Sequence, residues 1–509
     1  MIYHCEDHTC NYWDEGEKLP ERCPQCGRKL LRANEADMTG DDWTALGNTL
    51  WDAEASDKKR MVDCFRKAAY LGSAWGVCNL GICMEQGNGV EADPVQAFWL
   101  YQQAVEMGSL NAVCCLGVCY QYGIGTAPDA EKAAELYCKA AEYGSPRGQM
   151  LLARAFHDGI GVEADAAEAV HWVRAAAYQR YGEGMYRLGV CYEYGDGVEQ
   201  NWEHAVHWFR EAAESGVSVA MTDLGYCYEK GCGVEQSWEQ AFSWYRRGAE
   251  CGYPVSMSNL GLCYKRGYGV DQNWQEAIKW YEQGAQCGHL QSMNNLACCY
   301  EDGEGVEQNE ERALYWYRRS AEGGNGSAMC NLGRCYKMGH GVEQNWQEAV
   351  KWYEQGAQCG HLQSMDNLAY CYEYGEGVEQ NEERALYWYR RGAEAGSDYC
   401  MYCLGWNYSN GEGVEQNMTE AIRWYTAAAE GGNADAMHDL GWLYDHGEGV
   451  EQDMKKAICW YERAAEQNHP AAMNSLGECY AMGRGVPRDL ETAMEWYRRA
   501  AELGEAMAD

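Results

Sequence analysis

Residues 253–288 read YPVSMSNLGLCYKRGYGVDQNWQEAIKWYEQGAQCG, and this 36-residue stretch recurs in modified form along most of the 509-residue chain. Its first half places Met257, Leu260 and Tyr264 at positions i, i+3 and i+7, which is the spacing of one helix face. We call this predicted helix A. The glycines of 267–269 then allow the positive φ angles that a tight helix exit needs. The first half therefore predicts a helix that ends in a glycine loop.

The second half of the stretch predicts another helix, called helix B. Asn273 is a good N-cap residue, and Glu276 at N3 completes the sequence pattern of a capping box. Trp280 and Tyr281 belong to the apolar stripe of this helix, and Gly288 ends it as a left-handed residue. One stretch thus predicts two helices joined by a loop.

The glycine loop recurs with a fixed interval. The motif Gly-x-Gly returns every 36 residues without insertions, beginning at Gly87, Gly123, Gly159, Gly195, Gly231, Gly267, Gly303, Gly339, Gly375, Gly411, Gly447 and Gly483. A degenerate first unit covers about 41–72, and residues 273–322 and 345–394 are nearly identical. A two-helix unit cannot bury its aromatic rings alone, whereas stacked neighbours can. The period therefore predicts an all-α solenoid of about thirteen repeats.

The repeat resembles a known family. Its pattern A-x-x-x-L-G-x-x-Y…G-x-G-V…A-x-x-W-Y-x-x-A-A-x-x-G is similar to the Sel-one-like repeat, a relative of the tetratricopeptide repeat, over roughly 41–504. The resemblance implies a right-handed superhelix of antiparallel helix pairs that serves as an adaptor and has no catalytic activity of its own. We expect residues 36–504 to form this solenoid and residues 505–509 to be the truncated start of a further repeat.

The net charge of the chain restricts the classes of partner that it can bind. The chain has 78 acidic and 41 basic residues and a formal net charge of −37. Phosphate backbones and anionic lipids repel such a polyanion, so we expect neither nucleic acid nor membrane as the main partner. No apolar run approaches the roughly 20 residues that cross a bilayer, and Met1 to Cys10 do not form a secretory signal. These features predict a cytoplasmic protein.

The 27 cysteines are mostly a property of the repeat. Same-position residues of successive repeats should lie about 10 Å apart, as packed helices do, which exceeds the Cα separation of about 7 Å that a disulfide tolerates. Some secreted members of the family pair cysteines within a unit, but Cys251, Cys287 and Cys359 lack partners in register. We therefore expect buried free thiols at the shared position before the helix A tyrosine, which holds Cys83, Cys119, Cys191, Cys227, Cys263, Cys299, Cys335, Cys371 and Cys479.

Residues 1–35 do not follow the repeat. They contain Cys5-x4-Cys10-x12-Cys23-x2-Cys26, and four thiolates from two short loops can close a tetrahedral metal site. A segment this short has too little core to fold unaided, so the metal would supply folding free energy. The spacing predicts a zinc ribbon that either caps the solenoid or serves as a docking module.

The stretch from Cys10 to Gly27 is similar to the rubredoxin-type ribbon of rubrerythrins. That resemblance implies zinc or iron on the four cysteines, and we expect zinc, with iron as the alternative. The first cysteine pair has four intervening residues where the family has two, so His4 or His8 remains an alternative to Cys5 as a ligand.

A candidate partner-binding surface emerges from positions that vary between repeats. In the sample repeat the outward positions of helix A are expected at Ser258, Leu262, Lys265 and Arg266. Around the tenth to twelfth repeats such positions become aromatic, and clustered aromatic residues are good anchors for a peptide. The alternative is that they pack against the next helix. The candidate residues are Tyr370, Tyr374, Tyr399, Tyr402, Trp406, His438, Trp442 and His446.

No catalytic arrangement is readable in the sequence. The Gly-x-Gly motifs are turn chemistry, because no strand precedes them and no Lys-Ser/Thr follows, as a phosphate-binding loop would require. We therefore expect a non-enzymatic scaffold whose concave face binds a partner protein or peptide. Two alternatives are a redox protein that uses an iron-loaded ribbon and a structural rod that self-associates end to end through its C-terminus after Gly504.

Overall fold

The structure is a computed structural model, and it describes residues 2–5, 13–15, 30–33, 38–51 and 55–506. The chain divides into two compact units, Met1–Ser256 and Met257–Asp509. Each unit is described below by itself.

A small antiparallel sheet lies at the start of the first unit. It consists of β1 (Ile2–Cys5), β2 (Trp13–Glu15) and β3 (Leu30–Ala33), in the order β2-β1-β3. Ile2 pairs with Glu15 on one side and with Ala33 on the other. The described strands thus add a β element to the predicted helical array.

The rest of the first unit is helical. Its helices are α1 (Gly40–Thr49), α2 (Ala55–Tyr70), α3 (Ala74–Gln86), α4 (Pro94–Glu106), α5 (Leu110–Tyr122), α6 (Ala130–Glu142), α7 (Pro146–Asp158), α8 (Ala166–Tyr178), α9 (Gly182–Tyr194), α10 (Trp202–Glu214), α11 (Ser218–Lys230) and α12 (Trp238–Glu250). The next helix, α13 (Pro254–Arg266), contains the boundary between the units.

The second unit continues the same pattern. Its further helices are α14 (Trp274–Gln286), α15 (Leu290–Asp302), α16 (Glu310–Glu322), α17 (Gly326–Met338), α18 (Trp346–Gln358), α19 (Leu362–Tyr374), α20 (Glu382–Glu394), α21 (Asp398–Asn410), α22 (Met418–Gly431), α23 (Ala434–His446), α24 (Met454–Glu466), α25 (Pro470–Met482) and α26 (Leu490–Ala506). Helices A and B alternate as predicted, which confirms an array of helical hairpins. The last helix runs two residues beyond Gly504.

The core of most hairpins is built around a tyrosine of helix B, whereas Phe65, Val173 and Phe209 hold this position in α2, α8 and α10. Gly261 on α13 allows this packing, because a Cβ atom there would lie 2.5 Å from the Tyr281 ring. The neighbouring tryptophan is less deeply buried, and in α12 the Trp244 ring carries the Arg247 guanidinium 4.3 Å from its centroid. Tyrosine rather than tryptophan is thus the central ring of the hairpin. The fully buried tyrosines of helix B are Tyr101, Tyr137, Tyr245, Tyr281, Tyr317, Tyr353, Tyr389 and Tyr461.

The predicted caps form, with one correction. The Asn273 side chain accepts a hydrogen bond from the backbone N–H of Glu276 at 3.1 Å. The reciprocal half of the predicted capping box is wrong, because the Asn273 N–H donates to the Tyr264 carbonyl at 2.9 Å instead. The Glu276 carboxylate lies 3.3 Å from the Lys279 ammonium. The backbone hydrogen bond from Asn273 to Tyr264 crosses the loop and joins helix B to the preceding helix A.

A glutamine just before the N-cap forms a second hydrogen bond between helix B and helix A, which was not predicted from the sequence. The Gln272 side-chain amide donates to the Lys265 carbonyl at 2.8 Å, and Gln308 donates to the Glu301 carbonyl at 2.9 Å. These bonds satisfy carbonyl groups at the C-terminal end of helix A, where no intrahelical partner exists. The available signal was the glutamine that directly precedes the N-cap in eight successive repeats, from Gln200 to Gln452.

The cysteines of the repeat behave as predicted. No disulfide joins the described cysteines from Cys64 to Cys479, and eight of the nine at the shared position are buried, with Cys191 half-buried. Burial raises the pKa of the Cys83 and Cys299 thiols to about 11, which keeps them protonated and unreactive at neutral pH. Among the helices that the structure describes, none has the length and apolar character needed to cross a bilayer.

Candidate partner-binding surface

The predicted aromatic residues lie on three successive A helices of the second unit, α19, α21 and α23. Tyr370, Trp406 and Trp442 occupy the same position in their repeats, since they are 36 residues apart. Trp406 is 45% exposed and Trp442 40% exposed. Together with Tyr374, which is 60% exposed, they define what we call the aromatic surface.

Two ring–ring contacts and one cation–ring contact hold aromatic side chains of this surface in place. The Tyr370 and Tyr374 rings lie 4.5 Å apart along α19, and the Lys337 ammonium lies 5.1 Å from the Tyr370 ring centroid. On α23 the His446 ring stacks on Trp442 with centroids 4.3 Å apart. These four aromatic side chains therefore form neighbouring pairs rather than isolated rings.

Tyr402 and His438 occupy a more buried position than predicted. Both correspond to Ser258 in the sample repeat, and Ser258 is buried, so its assignment as an outward position is wrong. The Tyr402 hydroxyl donates to the Asp439 carboxylate at 3.3 Å across neighbouring A helices. The His438 ring packs 5.8 Å from the Tyr461 ring. These side chains fill the space between helices, which is the packing alternative.

Tyr399 also packs inward on one side, because its ring lies 6.5 Å from the Tyr389 ring of α20. It nevertheless remains 38% exposed, and burial of its hydroxyl raises its pKa above the usual range. The structure thus leaves five of the eight candidate residues exposed, namely Tyr374, Tyr399, Trp406, Trp442 and His446, and their role in binding stays a prediction.

A cavity of about 210 Å³ opens beside the aromatic surface, where α19, α20 and the loop after α21 meet. Its lining includes the carboxylates of Glu373, Glu382 and Glu412, together with Tyr374 and Asn407. We call this cavity the acidic pocket. It lies wholly within the second unit.

The Glu373 carboxylate of the pocket is held in place by a hydrogen bond from the protein core. The Tyr389 hydroxyl donates to Oε2 of Glu373 at 2.6 Å. Burial raises the pKa of Glu373, the hydrogen bond from Tyr389 lowers it, and the negative charge of Glu412 raises it again. Glu412 therefore acts on Glu373 as a like charge.

Glu412 and Asn407 are not among the site residues predicted from the sequence. Asn407 stands where most repeats have the buried cysteine, and Glu412 is the middle residue of a Gly-x-Gly motif. The signal for Asn407 was its polarity in an otherwise apolar set of positions. Glu412 could not be linked to Glu373 without the structure, because the motif was interpreted only as a turn.

The predicted metal site lies mostly outside the described residues. Cys10, Cys23 and Cys26 are not among them, and Cys5 is described only as the last residue of β1. The four-cysteine zinc ribbon therefore stays a prediction. In the part of the chain that the structure describes, no group of three or more His, Cys, Asp or Glu side chains is placed to hold a metal ion.

Comparison with known families fits this architecture. The Sel1 repeat profile matches twelve consecutive segments, which are residues 76–109, 112–145, 146–181, 182–217, 218–253, 254–289, 290–325, 326–361, 362–397, 398–433, 434–469 and 470–505. The chain belongs to the Sel1 repeat family. The hairpin of α1 and α2 lies before the matched Sel1 repeats, in agreement with its degenerate sequence.

A solved structure has a similar fold. The chain is similar to c5321, described as a protective antigen present in uropathogenic Escherichia coli strains displaying an SLR fold, with 31% identity over 87% of this chain and 94% of that one, and a TM-score of 0.55. A Sel1 repeat protein from Oxalobacter formigenes is 28% identical over 60% of this chain and 89% of that one, with a TM-score of 0.45. No curated protein matches the chain significantly.

Proposed function

We propose that this Sel1 repeat protein is a non-enzymatic scaffold that binds a positively charged polypeptide segment on the aromatic surface. The observation that carries this proposal is the placement of Trp406 and Trp442, which stand at the same position of adjacent repeats and are each about two-fifths exposed. Tryptophan at a surface with a regular spacing is a strong anchor for a bound peptide.

A basic partner is proposed because the exposed indoles have no cation of the chain over them and the chain is strongly negative. Indoles on the B helices are covered by the chain's own cations, as where Arg391 lies 5.3 Å from the Trp388 ring and Arg463 lies 4.3 Å from the Trp460 ring. No such cation lies over Trp406 or Trp442 among the described residues. With a net charge of −37 around them, these rings favour a partner that brings its own Lys or Arg side chains.

The test selects peptides from a random displayed library against the purified full-length protein and measures their affinity by fluorescence anisotropy. We expect the selected peptides to be rich in Arg, Lys and aromatic residues. The double variant Trp406→Ala/Trp442→Ala should bind them at least tenfold more weakly, because two anchor rings of an interface commonly contribute more than 1 kcal/mol each.

The matched control is Tyr315→Ala/Tyr387→Ala. It removes two rings of the B helices that are 52% and 53% exposed and that occupy the same position two repeats apart. This variant should bind the selected peptides as the unmodified protein does. Peptides that bind both double variants equally well would show that the aromatic surface is not the binding site.

Other parts of the proposal rest on the sequence. A cytoplasmic setting is supported by the many buried free thiols, which suit a reducing compartment. The four-cysteine ribbon would bind zinc at the N-terminus, and nucleic acid and membranes are not proposed as partners because of the negative charge.

A further inference from the structure

The acidic pocket departs from a rule that the other repeats follow. The last turn of helix A in one repeat faces the middle residue of the Gly-x-Gly motif in the next repeat, 39 residues further on. Where both positions hold Asp, Glu, Lys, Arg or His, a basic side chain otherwise meets an acidic one, at separations of 2.9 to 4.0 Å. These pairs are His157–Asp196, Lys265–Glu304, Glu301–His340, Lys337–Glu376 and Asp445–Arg484. Glu373 and Glu412 are the like-charged exception among the described residues.

The nearly identical stretches 273–322 and 345–394 allow a direct comparison. We call the repeat that contains Glu301 the sister repeat, and it has two basic side chains that the acidic pocket lacks. Residue 301 corresponds to 373, and in both repeats a buried tyrosine donates to the glutamate at 2.6 Å. Glu301 then receives the Arg334 guanidinium at 2.7 Å and lies 3.8 Å from the His340 ring. The positions of these two basic residues hold Trp406 and Glu412 in the acidic pocket. The framework is the same, but the cations that neutralise it have been replaced.

Asn407 supplies a second, independent indication of a ligand. It is 6% exposed and lines the acidic pocket. Its side-chain amide has no hydrogen-bond partner among the described residues. The equivalent residue of the sister repeat is the apolar Cys335. The Asn407 residue is nearly buried, yet its amide atoms are not among the fully buried side-chain atoms that lack a partner. The amide is therefore open to the pocket and available to a group bound there.

The chemistry of the pocket favours a guanidinium group over a metal ion. No three acidic, His or Cys side chains of the described residues stand close enough together for metal coordination. A guanidinium carries five N–H donors in a plane and can reach two carboxylates and an amide oxygen at once. In the sister repeat the same glutamate already binds such a group, that of Arg334.

We propose that the acidic pocket binds an arginine side chain of the partner polypeptide, in the place that the chain's own basic residues fill in the sister repeat. This inference rests on the proposed function, because it names the side chain that a basic partner segment inserts beside the aromatic surface. Glu373 and Glu412 pair with the guanidinium, and Asn407 accepts a hydrogen bond from it.

The test uses three short peptides, acetyl-Ala-Arg-Ala-amide and the same peptide with citrulline or lysine in place of arginine. Citrulline has nearly the same shape as arginine but no charge. Saturation-transfer NMR with the full chain should show binding of the arginine peptide in the millimolar range, with the citrulline peptide at least about tenfold weaker. Lysine should bind less well than arginine, because it lacks the planar fork.

Two variants locate the site. Glu412→His copies the residue of the sister repeat and should weaken binding of the arginine peptide at least about fivefold, since it removes one of the two charges on which the pair depends. Glu373→Gln keeps an acceptor for Tyr389 and should have a similar effect. The control Glu448→Gln changes the exposed middle residue of the next Gly-x-Gly motif and should leave binding unchanged. Unaltered thermal unfolding midpoints would show that all variants are folded.

Several outcomes would overturn the inference. The first is that the arginine peptide does not bind at 10 mM, which is on the order of ten times the dissociation constant expected for a single side chain. The second is that the citrulline peptide binds equally well. The third is that the Glu448→Gln control loses as much binding as the two pocket variants. Competition by calcium chloride, but not by potassium chloride of equal ionic strength, would instead indicate a metal site. If library peptides lose affinity for Trp406→Ala/Trp442→Ala but not for Glu412→His, only this inference fails and the proposed function stands.

Discussion

Tyr281 and Tyr317 hold the same position in neighbouring repeats, but only one of them has a hydrogen-bond partner. The Tyr317 hydroxyl donates to the Glu301 carboxylate at 2.6 Å. The buried Tyr281 hydroxyl has no partner among the described residues. The acceptor position in its repeat holds Lys265, which instead lies 2.9 Å from Glu304. Two identical rings in equivalent cores therefore differ in one polar group.

This difference predicts unequal effects of removing the hydroxyl group. Tyr317→Phe removes a hydrogen bond to the Glu301 carboxylate, which keeps only the Arg334 guanidinium at 2.7 Å as a donor, and should lower the free energy of unfolding by about 1.5–3 kcal/mol. Tyr281→Phe removes an unpaired group and should change it by less than about 0.5 kcal/mol, or raise it. Thermal unfolding midpoints of the full-length variants provide the measurement. Equal losses in both variants would show that Tyr281 has a partner in solution.

At the scale of the element, the two glycines of each loop have different tasks. Gly159 and Gly161 both have a φ of +69°, but a Cβ atom at Gly159 would lie 3.6 Å from its nearest neighbour. A Cβ atom at Gly161 would lie 1.9 Å from the backbone oxygen of Ala130, at the start of helix B in the preceding repeat. The first glycine ends a helix, and the second brings two repeats together.

We therefore expect Gly161→Ala to destabilise the protein far more than Gly159→Ala. Both substitutions place a side chain in left-handed backbone, which costs about 1–2 kcal/mol. Only the substitution at Gly161 adds a clash with backbone, so its total cost should be at least about 2 kcal/mol larger. Urea unfolding followed by circular dichroism would measure both. Similar midpoints for the two variants would contradict the role given to Gly161.

Sequence periodicity predicted the elements better than it predicted their contacts. Helices, loops and N-caps follow from residues such as Asn273 and Gly267, because their chemistry is local. The Asn273 N–H found its acceptor in Tyr264, nine residues away, which a local capping pattern could not show. The inward position of Tyr402 and the meeting of Glu373 with Glu412 depend on packing between repeats. Such contacts become visible only when the register of neighbouring helices is known.

At the scale of the whole molecule, net charge and local ion pairs respond to salt in opposite directions. Excess negative charge repels itself in the compact state, whereas pairs such as Lys279–Glu276 stabilise a helix by a few tenths of a kcal/mol each. The chain has 78 acidic and 41 basic residues. Repulsion among the unpaired carboxylates should therefore outweigh the exposed pairs.

This balance predicts that moderate salt stabilises the folded protein. At 0.1 M ionic strength the screening length is about 10 Å, close to the separation of adjacent helices. Raising sodium chloride from roughly 20 to roughly 200 mM should thus raise the thermal unfolding midpoint by a few degrees while weakening the binding of a basic peptide. Potassium chloride should act equally, because the effect depends on ionic strength and not on a specific ion. A midpoint that falls with salt would show that ion pairs, rather than net repulsion, dominate the electrostatics of the array.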